Sequence, residues 1–78
     1  MPRFFVDFCD GDILHEDNEG SDLPSFERAR DEAIGFLPQV ARDQLPDGEH
    51  REFVATVRDE NGVLLYRASL TFDGQRLA

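Results

Sequence analysis

The alternation of apolar and polar residues is clearest in the last third of the chain. Residues 52–72, EFVATVRDENGVLLYRASLTF, form two alternating runs on either side of Asn61-Gly62. A period of two predicts half-buried β-strands, and an Asn-Gly pair favours a two-residue hairpin turn between them. Such a turn would pair Glu60 with Val63. The pairs that follow are Val57 with Tyr66, Ala55 with Ala68, and Phe53 with Leu70.

This register divides the side chains of the predicted hairpin between two faces. The apolar face consists of Phe53, Ala55, Val57, Leu64, Tyr66, Ala68 and Leu70. The opposite face carries Val54, Thr56, Arg58, Leu65, Arg67 and Ser69. Because an apolar sheet face has to be covered, we expect the chain's helix to pack against the first of these faces.

A second hairpin is predicted near the N-terminus. RFFVDF, residues 3–8, is typical of a strand, and ILHED, residues 13–17, is a weaker returning strand. Asp10-Gly11 favours the turn. A two-residue loop would pair Phe8 with Ile13 and Val6 with His15, whereas a loop one residue longer would pair Phe8 with Leu14. The sequence leaves this register open.

The middle of the chain has the spacing of a helix. NEGSDLP, residues 18–24, is rich in turn formers, and Ser25 is a suitable N-cap with Glu27 in the first turn. The apolar positions at helical spacing are Phe26, Ala29, Ala33, Leu37, Val40 and Ala41, and the polar face holds Arg28, Asp31, Glu32, Gln39, Arg42 and Asp43. We expect a kink or a restart at Pro38, and an end to the helix within LPDGEH, residues 45–50.

These elements predict an α+β fold with the order ββαββ. Two β-hairpins form a mostly antiparallel four-stranded sheet, and one helix packs on one of its faces. With 40% hydrophobic residues, the 78 residues have apolar material for one small core. We therefore expect residues 1–78 to be a single small domain.

Composition indicates a soluble protein of the cytoplasm. The single cysteine forms no internal disulfide, which fits a reducing compartment. The N-terminus MPRFFVDFCDGD lacks the apolar run of a signal peptide, and no segment has the ~18 apolar residues of a membrane span. We expect no membrane association.

The net charge of −9 bears on the class of partner. Nucleic-acid binding depends on clustered positive charge, so binding to DNA or RNA is not expected, although Arg58, Arg67 and Phe5 are residue types that sheet-based RNA binders display. A basic protein partner remains compatible with this charge. One alternative is therefore an acidic decoy, which would mimic nucleic-acid charge on a basic partner.

Three segments together resemble a known family. They are the opening MPRFFVDFCDGD, the segment DNEGSDLPSFERARDEA that leads into the helix, and the hairpin REFVATVRDENGVLLYRASLTF. In these the chain is similar to a domain-of-unknown-function family of short proteobacterial proteins. The resemblance implies a small stand-alone bacterial domain, and it implies no catalytic residues.

The stretch DFCDGDILHEDNEGSD, residues 7–22, holds seven carboxylates, His15 and Cys9, but it matches no catalytic or metal-binding template. EF-hand spacing fails around both glycines, and Cys9, His15 and His50 lack the fourth ligand and the spacing of a zinc site. Cys9, His15 and Asp7 lack the supporting features of an activated nucleophile. We expect no enzymatic activity, no cofactor and no formal metal site. Weak cation binding by Asp10, Asp12 and Asp17 stays open.

Interaction with another protein is the function that the pattern favours most. Val54 and Leu65 lie on the predicted exposed face beside polar neighbours, and apolar residues rimmed by arginines are typical of an interface. The predicted interaction surface is Val54, Thr56, Arg58, Leu65 and Arg67. An open sheet also leaves edge strands that can pair with a second copy or with a peptide. The partner is therefore an unidentified protein or the chain itself, as a homodimer.

Overall fold

A computed structural model describes residues 1–45 and 49–78. It contains five strands and one helix: β1 (Arg3–Asp10), β2 (Ile13–His15), β3 (Ser21–Asp22), α1 (Phe26–Gln44), β4 (His50–Asp59) and β5 (Leu64–Asp73). The predicted α+β class and the ββαββ order are confirmed. The short strand β3 is an addition, because it lies inside the segment that the sequence predicts to be a loop.

All strand pairs of the sheet are antiparallel, and the order across the sheet is β2-β1-β4-β5. β3 also pairs with β1, at the opposite end from β2. One long side of β1 therefore carries two short strands, while its other side pairs with β4 along seven residues. β5 is the outermost strand on the far side.

The first hairpin turns at Gly11-Asp12, one residue later than the predicted turn. Its pairs are Asp10 with Ile13, Cys9 with Leu14, and Phe8 with His15. Both registers left open by the sequence, Phe8 with Ile13 or with Leu14, are therefore wrong. Gly11 has a φ of 60°, and no other kind of residue has a positive φ in the described part of the chain. A type II′ turn needs positive φ only at its first central position, so this register avoids a strained Asp10.

The second hairpin has the predicted register over most of its length. Val57 pairs with Tyr66, Ala55 with Ala68, and Phe53 with Leu70, which confirms three predicted pairs. Near the turn a β-bulge shifts the register, so that Arg58 pairs with Leu64 and Leu65 is the extra residue. Leu64 thus lies on the face opposite the helix and is 62% exposed, and its predicted place on the apolar face is wrong.

The turn explains this bulge. Asp59 donates its N–H to the C=O of Val63, and its Oδ1 accepts the N–H groups of Asn61 and Val63, each at 2.9 Å. The loop therefore has three residues, 60–62, and Gly62 has a φ of 82°. The predicted pairing of Glu60 with Val63 is wrong because the Asp59 carboxylate stabilises the longer loop.

The helix α1 is continuous through Pro38. Its N-cap is Ser25, as predicted, and the Ser25 Oγ accepts the N–H of Arg28 at 3.2 Å. Pro38 lies on the exposed side, as does Ile34, so water can solvate the Ile34 carbonyl that the proline leaves without a donor. The helix therefore does not restart there. It ends at Gln44, and residues 46–48 of the predicted terminating segment lie outside the described residues. Among residues 1–45 and 49–78, no helix combines the length and apolar character that a membrane crossing requires.

The core lies between α1 and the facing side of the sheet. Its buried residues are Phe4, Phe8, Ala29, Ala33, Leu37, Ala41, Phe53, Ala55 and Val57. Alanines on the helix allow it to approach the aromatic residues of the sheet closely. The helix α1 does not cover the outer part of β5, where Leu70 is 39% exposed. Leu70, predicted on the apolar face, is therefore only partly buried.

The chain is more elongated than a typical domain of its length. Its Cα radius of gyration is 14.1 Å, whereas a compact chain of this length has one of roughly 11–12 Å. β4 and β5 each contain ten residues and form a long ribbon. Apolar side chains of β5 therefore remain accessible, whereas those of β4 on the helix side are buried.

We predict that Leu37→Ala lowers the free energy of unfolding by about 2–5 kcal/mol, because it leaves a cavity in the core. Leu37 is 4% exposed, whereas Ile34, almost one turn earlier at the exposed flank of the same helix, is 44% exposed. Ile34→Ala is thus the matched control, with an expected loss below about 1 kcal/mol. Urea unfolding of the two variants measures the difference, and equal losses would contradict this packing.

Candidate interaction surface

The outer edge of β5 has no strand partner among the described residues. The N–H of Gly74 donates to the C=O of Glu49, and bonded and non-bonded pairs alternate along an antiparallel ladder. From Tyr66 onward the even-numbered residues of β5 therefore bond to β4, and the odd-numbered residues direct their N–H and C=O groups outward. Beyond the bulge, these outward groups belong to Arg67, Ser69, Thr71 and Asp73.

β5 also exposes apolar side chains. Leu64 is 62% exposed, Leu65 and Leu70 are each 39% exposed, and Phe72 is 37% exposed. Natural edge strands are commonly protected by short length, lysine or proline. β5 has ten residues and neither of these residue types, so its protection is limited to the bulge and the two charged side chains of Arg67 and Asp73.

The structure places the predicted surface residues on the half of the sheet next to this edge. Val54, Thr56 and Arg67 line one shallow depression on the helix-free face, together with Cys9, Glu52 and Ser69. Leu65 is the bulge residue of β5 and lies closer to the turn. All five predicted residues, Arg58 included, are therefore exposed or half-buried on β4 and β5, and the interaction role of the set remains a prediction.

Arg58 shares this face, but its guanidinium is engaged within the protein. Its Nε donates to Asp7 Oδ2 at 2.8 Å, and a terminal nitrogen donates to the C=O of Asp17 at 2.7 Å. The guanidinium also lies 4.5 Å from the ring centroid of Phe5, a cation–π contact. The hydrogen bond with Asp7 raises the pKa of Arg58 above its usual value. Arg58 thus connects β4 to β1 and to the loop that follows β2.

We call the opposite edge of the sheet the closed edge, because a side chain fills the gap between its two short strands. β2 and β3 leave a gap along β1, and the N–H of Val6 points into it. Asp17 Oδ2 accepts this N–H at 3.1 Å, and the Asp17 N–H donates to Asp7 Oδ1 at 2.9 Å. The second oxygen, Oδ1, accepts the N–H groups of Glu19 and Gly20 at 3.1 and 2.9 Å. One carboxylate thus bonds the outward N–H of Val6 in this gap and shapes the following turn.

These contacts stabilise the charged form of Asp17. Burial alone raises the pKa of its carboxyl, but the hydrogen bonds from Gly20, Val6 and Glu19 and the charge of Arg58 outweigh that effect. The pKa of Asp17 therefore lies below its usual value. As a consequence, the closed edge depends on an ionised side chain.

Other carboxylates of the acidic stretch also have partners. Asp10 pairs with Arg51, and both side chains are at most 16% exposed. Asp22 pairs with Arg3 at 3.1 Å on the surface, and this hydrogen bond lowers the pKa of Asp22. Three arginines, Arg3, Arg51 and Arg58, therefore form ion pairs with carboxylates of this stretch.

The residues considered for catalysis or zinc binding are not brought together. Cys9 pairs with Leu14 on the helix-free face, and its Sγ lies 3.2 Å from the C=O of Gly11. His15 pairs with Phe8 on the helix side and stacks on its ring at 5.7 Å between centroids. His50 contacts Asp73, and this hydrogen bond raises the pKa of His50. Within the described ranges, no group of three or more histidine, cysteine or acidic residues has a metal-binding arrangement.

Asp17 is the residue whose role the sequence interpretation missed. The segment Asp17-Asn18-Glu19-Gly20 is the sequence of an Asx-type turn, in which a carboxylate accepts N–H groups two and three residues later. That signal indicates the local turn. It does not indicate that the other carboxylate oxygen reaches Val6, because this contact depends on the fold.

We predict that Asp17→Asn lowers the free energy of unfolding at pH 7 by about 1–3 kcal/mol, since buried N–H groups lose a charged acceptor. A carboxyl with a lowered folded pKa contributes stability above its unfolded pKa of about 3.9, and that contribution is lost as the pH falls through the folded value. The difference from the unmodified chain should therefore shrink in acid. Urea unfolding between neutral and acidic pH measures it.

Asp12→Asn is the control for this pH series, because the exposed Asp12 side chain makes no contact of this kind among the described residues. It should have little effect at any pH. A difference for Asp17→Asn that stayed constant from neutral to acidic pH would contradict the role of the ionised carboxylate.

We predict that Gly20→Ala destabilises the chain by about 2–4 kcal/mol. Gly20 has a φ of 72°, and a Cβ there would lie 2.8 Å from a ring carbon of Phe5 and 3.0 Å from the C=O of Phe4. Gly11→Ala is the matched control, since Gly11 also has positive φ but open space around it, and we expect about 1–2 kcal/mol. Equal losses in thermal or urea unfolding would contradict the close approach at the closed edge.

A family model described as a domain of unknown function, DUF6894, matches residues 3–71. The matched range begins at the first residue of β1 and extends into the last part of β5, so it includes both edges of the sheet. No curated protein and no solved structure matches the chain. The resemblance to a domain-of-unknown-function family is confirmed, and the chain belongs to the DUF6894 family.

Proposed function

We propose that this DUF6894 protein is a non-enzymatic protein of the cytoplasm that acts by protein–protein interaction through β5 and the adjoining helix-free face. The observation that carries the proposal is the difference between the two edges of the sheet. The β1 edge is completed by β2, β3 and Asp17, whereas β5 directs a row of backbone groups outward. An open edge of this length is a surface to which an extended segment of a partner can add.

The side chains beside the edge provide selectivity. Backbone hydrogen bonds would supply affinity for any extended segment, and pockets or charges at alternate positions distinguish one segment from another. Arg67 lies beside the depression on the helix-free face, and Leu70 and Phe72 lie on the helix side of the same strand. A partner strand paired with β5 would therefore contact a charged residue on the helix-free face and apolar residues on the helix side.

The two alternatives are supported less well by the described contacts. An acidic decoy requires free carboxylates, but Asp7, Asp10 and Asp22 are paired with arginines. Cation binding by Asp10, Asp12 and Asp17 requires oxygens that are available, but Asp17 already accepts three backbone N–H groups. Competition with DNA for a captured partner would favour the decoy. A rise in melting temperature with calcium or manganese would favour the cation site.

We predict that Ser69→Pro separates interaction from stability. The N–H of Ser69 points outward, so proline removes no bond to β4 and should change the free energy of unfolding by less than about 1 kcal/mol. Ala68→Pro is the matched control, because the Ala68 N–H bonds inward, and its loss should cost about 3 kcal/mol or more. Thermal unfolding measures both effects.

The interaction itself is tested by affinity capture from the native host with the unmodified chain and the Ser69→Pro variant. A partner that binds by strand addition should be lost from the variant and should protect the amide hydrogens of Ser69 and Thr71 in the complex. A partner that binds both baits equally, without protecting these amides, would contradict the use of the β5 edge.

A further inference from the structure

We infer that the occupant of the β5 edge is a second copy of this chain, paired antiparallel through β5 about a two-fold axis at Leu70. The inference rests on the proposed function and specifies its partner. The two five-stranded sheets would join into one continuous sheet. A two-fold axis perpendicular to the sheet keeps equivalent faces together, so both helices would lie on the same side.

The direction of the backbone groups restricts the possible registers. Outward groups belong to odd-numbered residues of β5, so in a two-fold pairing odd residues must lie opposite odd residues. Centring the pair on Leu70 satisfies this requirement. It places Arg67 opposite Asp73 of the partner subunit, Ser69 opposite Thr71 of the partner subunit, and Leu70 opposite Leu70 of the partner subunit.

Charge complementarity selects this register from the others. Arg67 and Asp73 are the only charged residues of β5, and they have opposite signs. The axis at Leu70 pairs them with each other twice, once at each end of the contact. An axis at Arg67 would instead place two arginines opposite each other, and like charges opposite each other destabilise a strand pair. The strand is thus self-complementary in one register.

Both charges are available for this contact. Arg67 is exposed and makes no ion pair among the described residues. Asp73 binds His50 through Oδ1, which leaves its Oδ2 without a partner in the described part of the chain. The two side chains lie on the helix-free face of β5, as outward-bonded odd residues do. Pairing would join them across the new strand contact.

The bulge and the apolar side chains agree with the same register. The contact would run over residues 67–73, which lie beyond the irregular part of β5 at Leu65. On the helix side it places Leu70, 39% exposed, against its equivalent, and Phe72, 37% exposed, against Ala68 of the partner subunit. Part of the apolar surface that α1 leaves uncovered on β5 would thereby be buried.

A charge exchange tests the inference on the full chain, with mass measured by light scattering after gel filtration over a range of concentrations. The unmodified chain should approach twice 8.9 kDa as concentration rises. Arg67→Glu alone and Asp73→Arg alone each place like charges opposite each other twice, so self-association should weaken roughly tenfold or more. An equimolar mixture of the two variants restores both attractive pairs and should form a heterodimer.

The outcomes separate this inference from the proposed function. An unmodified chain that stays monomeric at every concentration overturns the inference, whereas the capture experiment with Ser69→Pro decides the proposed function separately. A dimer that neither charge variant weakens, or a mixture that stays monomeric, overturns the register. Circular dichroism melting of each variant ensures that a loss of dimer is not a loss of fold.

A cross-link provides a second measurement that needs no charge change. Opposed Leu70 residues form a non-hydrogen-bonded pair with Cα atoms about 4.5 Å apart, which is within disulfide range. In a Cys9→Ser background, Leu70→Cys should therefore give a covalent dimer on oxidation. Ser69→Cys is the control, because equivalent residues at that position would be offset along the strands and too distant to bridge. Equal cross-linking of both variants would overturn the register.

Discussion

In an edge strand of an antiparallel sheet, every second residue directs its N–H and C=O groups away from the sheet, where they bond to another strand, a side chain or water. The two edges of this sheet differ in what bonds to these outward backbone groups. Along β1 they bond to two short strands and to the Asp17 carboxylate in the gap between them. Along β5 the described chain supplies no equivalent, and the strand's side chains remain partly exposed. The two edges therefore differ in structure, and the outward groups of β5 are the basis of the proposed association.

The acidic stretch of residues 7–22 has a structural role in this arrangement. Four of its seven carboxylates, those of Asp7, Asp10, Asp17 and Asp22, accept backbone N–H groups or pair with arginines. Arg51 and Arg58 hold the N-terminal hairpin against β4, and Arg3 holds β3 against β1. These ion pairs neutralise individual carboxylates locally, but the net charge of −9 already counts the arginines, so the surface as a whole remains acidic.

How far the sequence predicts the structure depends on the range of the interactions involved. The helix cap at Ser25, the helical spacing of the alanines and the pairing of Val57 with Tyr66 follow from local patterns, and all were predicted. The registers at the two turns were predicted wrongly, because the alternative turns differ only by small backbone preferences. The positive φ of Gly11 and the hydrogen bonds of Asp59 determine which turns form. The engagement of Arg58 by Asp7 and Asp17 was also missed, since it joins residues about forty to fifty positions apart in the chain.

Amide hydrogen exchange of the dilute chain, resolved by residue, tests the difference between the edges most directly. The N–H groups of Val6 and Leu70 are bonded within the protein and should exchange slowly. Those of Ser69 and Thr71 point outward and should exchange rapidly, which gives an alternation along β5. If Val6 exchanged as fast as Ser69, or if Ser69 were as protected as Leu70 in the monomer, the proposed closure of one edge and openness of the other would be contradicted.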